Sequence, residues 1–83
     1  MSAKDKLVKR LNGSPKDFTW DELMRLLGFY GFEEKQTGKT GGSRRKFFNE
    51  STKQVIHFHK PHPGTIVKMY VIRELKELLL KHA

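Results

Sequence analysis

Residues 43–59 read SRRKFFNESTKQVIHFH, and the fold turns on how they pair. Ser43–Phe48 and Val55–His59 are two short runs rich in aromatic and β-branched side chains, and the polar stretch Asn49–Gln54 between them supplies turn residues. They read as an antiparallel hairpin. Successive side chains on a strand point to opposite faces, so Phe47, Ile56 and Phe58 share the buried face only if Phe47 lies opposite Ile56. That register puts Lys46 opposite His57 and Arg44 opposite His59, all four on the face away from the core, with Phe48 and Val55 beside them. Arg45 then points to the core side at the sheet margin and must snorkel to reach water.

Working outward, Phe32–Thr37 is a weaker, polar strand, joined to the hairpin by the glycine-rich stretch Gly38-Lys39-Thr40-Gly41-Gly42. The three strands form a meander. Upstream, Thr19 followed by Glu22 is a capping box, and Trp20, Leu23, Met24 and Leu27 recur at helical spacing. A helix from about Trp20 to Leu27 is predicted, stopped by Gly28, or by Gly31 if Phe29 and Tyr30 extend it. Downstream, Pro61 and Pro63 end the third strand and Thr65–Met69 looks extended. Tyr70 then opens a helix whose Val71, Ile72, Leu75, Leu78 and Leu79 form a core-facing stripe. The expected fold is α+β, a single small domain of order α-β-β-β-α with a three-stranded antiparallel sheet. Residues 17–83 make up that domain and residues 1–16 an N-terminal extension, in which Lys4–Asn12 can form a short amphipathic turn or two before Gly13, Ser14 and Pro15 break it.

The chain has 83 residues, enough for one domain that buries about 60% of its unfolded surface. Hydrophobic residues at 36%, including six Phe, supply a core and argue against intrinsic disorder. There is no cysteine, so disulfides, thiolate nucleophiles and cysteine zinc sites are excluded. No apolar run approaches the ~20 residues of a membrane span, and residues 1–10 lack the apolar core of a signal peptide. A cytoplasmic protein, monomeric when free, is the expectation.

Seventeen lysines and arginines against nine acids give a formal charge of +8, which predicts an anionic partner. Between residues 35 and 60, Lys35, Lys39, Arg44, Arg45, Lys46, Lys53 and Lys60 face a single acid, Glu50. Both helices carry mixed charge and read as scaffold. Cations and histidines on one sheet face are the parts needed for RNA cleavage without a metal. A base takes the 2′-hydroxyl proton, cations stabilise the phosphorane, and an acid protonates the leaving 5′ oxygen. The candidate RNA contacts are Lys39, Arg44, Arg45, Lys46, Lys60 and Lys68, and the candidate proton carriers His59 and His57. His57, His59 and His62 also spell H-x-H-x-x-H, but with no cysteine or nearby carboxylate, and with Pro61 intervening, no metal site is predicted. His82 at the last helix terminus is explained by the helix dipole. The glycines match no nucleotide-binding fingerprint, so no cofactor is expected.

Asp17-Phe18-Thr19-Trp20-Asp21-Glu22-Leu23, Gly31-Phe32, Gly41-Gly42-Ser43-Arg44-Arg45-Lys46-Phe47 and Phe58-His59-Lys60-Pro61-His62-Pro63 together resemble the HicA toxins of bacterial HicAB toxin–antitoxin systems, over residues 17–82. The resemblance implies a double-stranded-RNA-binding-domain-like fold, an mRNA interferase activity, and a HicB antitoxin that covers the active face. It also implies a catalytic histidine directly after the Gly-Ser of the second strand, where this chain has Arg44. Arginine keeps a charge but cannot act as a base. His59, opposite Arg44 in the derived register, is the natural substitute, with His57 and His62 as further choices.

Three other readings stand beside a cleaving toxin. The chain could be a degenerate HicA that binds RNA or antitoxin without cutting. It could be a stand-alone double-stranded-RNA binder, although its last helix intersperses Lys68, Arg73, Lys76 and Lys81 with Glu74 and Glu77 rather than clustering lysines. It could also be a protein-interaction module with an acidic partner, whose on-rate would fall with salt.

Overall fold

The computed structural model describes residues 2–35, 44–61 and 64–81. Six elements follow one another: α1 (Ala3–Asn12), α2 (Trp20–Phe29), β1 (Phe32–Lys35), β2 (Arg44–Asn49), β3 (Gln54–His59) and α3 (Met69–Lys81). The α-β-β-β-α order expected from periodicity is present, preceded by α1 at the place of the predicted amphipathic turns. The strands form one antiparallel sheet of order β1-β2-β3. The predicted residues Gln36, Thr37 and Ser43, the glycine-rich stretch with Lys39, and His62, Pro63 and His82 lie outside the described residues. No described helix is long and apolar enough to cross a membrane.

The hairpin register is the derived one: Phe47 pairs with Ile56, Lys46 with His57, Arg44 with His59 and Arg45 with Phe58. Burial of aromatic side chains selects it, since Phe47 and Phe58 are both buried, with ring centroids 6.3 Å apart, and Phe47 meets Trp20 of α2 at 5.9 Å. A slip by one residue would turn these rings to water and bring Arg44, Lys46 and His57 inside. Leu11 of α1, Leu23, Leu26 and Leu27 of α2, and Val71, Ile72, Leu75, Leu78 and Leu79 of α3, complete the core with Phe18, Phe32 and Val67.

The capping box starts α2 as predicted: the Glu22 N–H donates to Thr19 Oγ1 at 3.2 Å, and the Thr19 N–H donates to Glu22 Oε1 at 3.0 Å. Of the two stops considered for this helix, Gly31 is the effective one. Gly28 lies inside the helix, whereas Gly31 has φ +90°, a conformation that side chains with a Cβ avoid. Asn49 holds the next junction. Its Nδ2 donates to the Tyr30 carbonyl at 2.9 Å, while its Oδ1 accepts the N–H groups of Ser51 and Thr52, so this buried amide ties the end of α2 to the β2–β3 turn.

Two hydrogen bonds position the segment that leads from β3 into α3. The Trp20 N–H donates to the Thr65 carbonyl at 2.8 Å, and the Val67 N–H to the Phe18 carbonyl at 2.9 Å. This staple fixes where α3 begins, and so what its outward face looks onto.

Candidate functional site

Because β2 is the middle strand, β3 is an edge strand among the described residues, and β3 and α3 together line two adjoining hollows. The two hollows form a groove. At one end a hollow of about 320 Å³ is lined by Arg44 of β2, His57, Phe58 and His59 of β3, and Tyr70, Val71 and Glu74 of α3. The groove continues as a second hollow of about 350 Å³, with His57 and Glu74 again in its wall and Glu77 and Lys81 further along. Ligand sites run from about 300 to 1,000 Å³, so each hollow suits one nucleotide-sized group rather than a whole oligomer.

Arg44, His57 and His59 are thus brought together, as the sequence register implied. Their surroundings differ from the open sheet face that was expected. His57 and His59 stand on the edge strand and Arg44 at the start of the middle one, and all three share a hollow with α3. Directly opposed residues on antiparallel strands have Cβ atoms about 5 Å apart, which sets Arg44 beside His59. All three side chains are solvent-accessible, as is Tyr70 at 45%. The site therefore combines a permanently charged guanidinium, two imidazoles, a phenol and a carboxylate in a hollow open to an incoming chain.

The remaining predicted RNA contacts divide. Lys46 projects on the outer face beside His57, Lys60 is exposed just beyond β3, and Lys68 is exposed immediately before α3. These three border the Arg44 end of the groove or the adjoining face. Arg45 instead turns to the core side, half-buried, with its Nε 4.0 Å from Glu34 Oε1 on β1, which answers the snorkelling problem posed by the register. Lys35 of β1 pairs with Glu33 at 3.3 Å. Among the described residues no group of three histidines, aspartates or glutamates is arranged to hold a metal ion.

Glu74, Glu77 and Lys81 are groove residues that sequence reasoning passed over as scaffold, and of these Glu74 lines the hollow with Arg44 and the histidines. A signal for them existed: Tyr70, Glu74, Glu77 and Lys81 follow one another at i, i+4, i+7 and i+11, a continuous stripe on the helix face beside the buried one. Nothing in the sequence says that β3 lies across from that stripe.

The titration of the scaffold is set elsewhere. Burial opposes ionisation of Glu22, but hydrogen bonds from Arg10 (Nε to Oε2, 2.6 Å) and from Thr19 outweigh it and hold this carboxyl below its usual range. Arg10 also donates to Asp17 Oδ1 at 2.9 Å, so α1 is clamped to the start of α2.

Comparison with curated proteins and with solved structures returns no match. A family model matches residues 20–83, and its description is the HicA toxin of bacterial toxin–antitoxin systems. The matched span begins at the first residue of α2 and takes in the whole sheet, the groove and α3, which agrees with the motifs quoted above, and the chain therefore belongs to the HicA toxin family.

Proposed function

We propose that this chain is the RNA-cleaving toxin of a toxin–antitoxin pair, a metal-free endoribonuclease of mRNA in the cytoplasm, neutralised by a HicB-like antitoxin. The observation that carries the reading is the meeting of Arg44 with His59 and His57 in one accessible hollow. His59 carries the proton in place of the family's histidine, and Arg44 stabilises the charge that develops on the phosphorane. Lys46, Lys60 and Lys68 hold neighbouring phosphates. An acidic antitoxin surface seated on this basic face would be steered to it electrostatically.

The test is incubation of the purified protein with mixed-sequence RNA in EDTA, with analysis of product ends. Cyclic phosphate or 3′-phosphate ends are expected, and His59→Ala should slow their appearance by about 100-fold or more. Cleavage unchanged in that variant would remove His59 from the mechanism. Arg44 in the histidine position favours a second reading, a HicA that grips RNA without cutting it. Under that reading the same samples give intact RNA and a salt-sensitive gel shift.

A further inference from the structure

Displacement at phosphorus runs in line, with the attacking 2′ oxygen and the leaving 5′ oxygen on opposite sides of the phosphorus atom. The base that activates one and the acid that protonates the other must therefore approach from two directions. His57 and His59 cannot do this as a pair with ease, since both come from β3, two residues apart, and form one wall of the hollow. The other wall is α3. There Tyr70 and Glu74 stand one helical turn apart, and among the described lining residues of this hollow Glu74 is the one carboxylate. A carboxylate accepts a proton without needing a partner to activate it, whereas a phenol is protonated near neutral pH and an arginine has no acceptor at all.

We infer that Glu74 is the general base of the cleavage reaction, acting across the groove from His59 as general acid, with Arg44 on the phosphate between them. The inference rests on the cleavage reading above and adds the group that reading lacks. The Glu74 carboxylate takes the proton of the 2′-hydroxyl, the 2′ oxygen forms a bond to phosphorus, and the bond from phosphorus to the 5′ oxygen breaks. The His59 imidazolium gives its proton to the departing 5′ oxygen. The products are a 2′,3′-cyclic phosphate and a 5′-hydroxyl end, and exchange of one proton each with water resets both residues. The division of labour also accounts for the residue at position 44. Arg44 stands beside His59 on its β2 side and lines the same hollow, where it supplies a fixed positive charge for the phosphate at any pH.

The charged and titratable groups that face Glu74 are Arg44 from β2, His57 and His59 from β3, and Tyr70, Glu77 and Lys81 from its own helix. The test must therefore separate Glu74 from His57, the other available base. The rate should rise with pH on the acid side as the base loses its proton, and fall on the alkaline side as the acid loses its own. Glu74→Gln, isosteric and at an exposed helix position, should lower kcat by about 100-fold or more and abolish the acid-side limb. It should leave unweakened the binding of a 2′-deoxy analogue, which lacks the nucleophile. His57→Ala should keep the limb. If the wild-type protein cleaves and Glu74→Gln cleaves equally fast with the same pH profile, Glu74 is not the base, and the cleavage reading survives without it. If His57→Ala removes the acid-side limb instead, the base is His57. If the wild-type protein leaves every RNA intact, both this inference and the cleavage reading fall.

Discussion

Position 44 holds a guanidinium where the resemblance to the HicA toxins implies an imidazole, and the proposed chemistry turns on that one exchange. A histidine there could carry a proton, whereas an arginine only holds charge, so on the proposed cleavage reading proton transfer falls to His59 and to the facing wall of the groove. Elsewhere single residues matter through hydrogen bonding. Glu22 caps α2, accepts from Arg10, and sits below its usual carboxyl range because those bonds outweigh the cost of its burial. A carboxyl with a depressed folded-state value contributes stability that is present above its unfolded value and is lost as pH falls through the folded one. Thermal unfolding followed from pH 7 downward should show a decline that sets in at the ordinary carboxylate range and continues below it, shallower in Glu22→Gln, whose baseline stability is also lower. An equally steep decline in that variant would mean other carboxylates govern acid unfolding.

Elements are closed by their ends, and α2 shows how two nearby glycines play different parts. Gly28 lies within the helix, and a Cβ built there meets nothing within 4 Å. Gly31 has φ +90° and would place a Cβ 3.4 Å from the Asn49 amide. Gly28→Ala should raise stability by about 0.5–1 kcal/mol through helix propensity and reduced unfolded-state entropy. Gly31→Ala should lower it by about 1 kcal/mol or more, since the backbone there is strained for any residue with a Cβ. Urea midpoints of the two variants measure both, and shifts of the same sign would contradict this account of the helix end. The hairpin is equally governed by local pattern: the alternation of Phe47, Ile56 and Phe58 admits a single register that turns all three to the core side, burying both rings and part of Ile56, and the pairing of Arg44 with His59 follows from that alternation alone.

On the scale of the whole molecule, charge and groove coincide in part. The Arg10 clamp ties α1 to Asp17 and to Glu22 of α2, while Arg44, Lys46, Lys60 and Lys68 stand on or near the face that includes the groove. If these four contact single-stranded RNA, each substitution by alanine should weaken binding across sequences and reduce the slope of log affinity against log salt by about 0.7. Lys4, whose ammonium lies 4.6 Å from the Tyr30 ring centroid beside α1, is the control and should leave the slope unchanged. Fluorescence anisotropy titrations over a salt series read these slopes. Equal effects at all five positions would point to a diffuse charge field instead of a groove-centred interface.

The amino-acid sequence by itself determined the class of fold, the capping of α2, the three-strand meander, the register of the hairpin and the basic character of its surface. These are carried by near neighbours along the chain: a threonine and a glutamate three residues apart, or apolar side chains alternating with period two. It also offered both candidate ends of α2, and the choice of Gly31 fell to the fit of Asn49 beneath the turn. Only the tertiary structure decided what stands beside β3. Glu74 and His57 lie 17 positions apart in the sequence and line one hollow, with the start of α3 held by the hydrogen bonds of Trp20 to Thr65 and of Val67 to Phe18. No local pattern encodes such a meeting. It follows from where the buried stripe of α3 finds its core, which turns the stripe of Tyr70 and Glu74 toward the histidines.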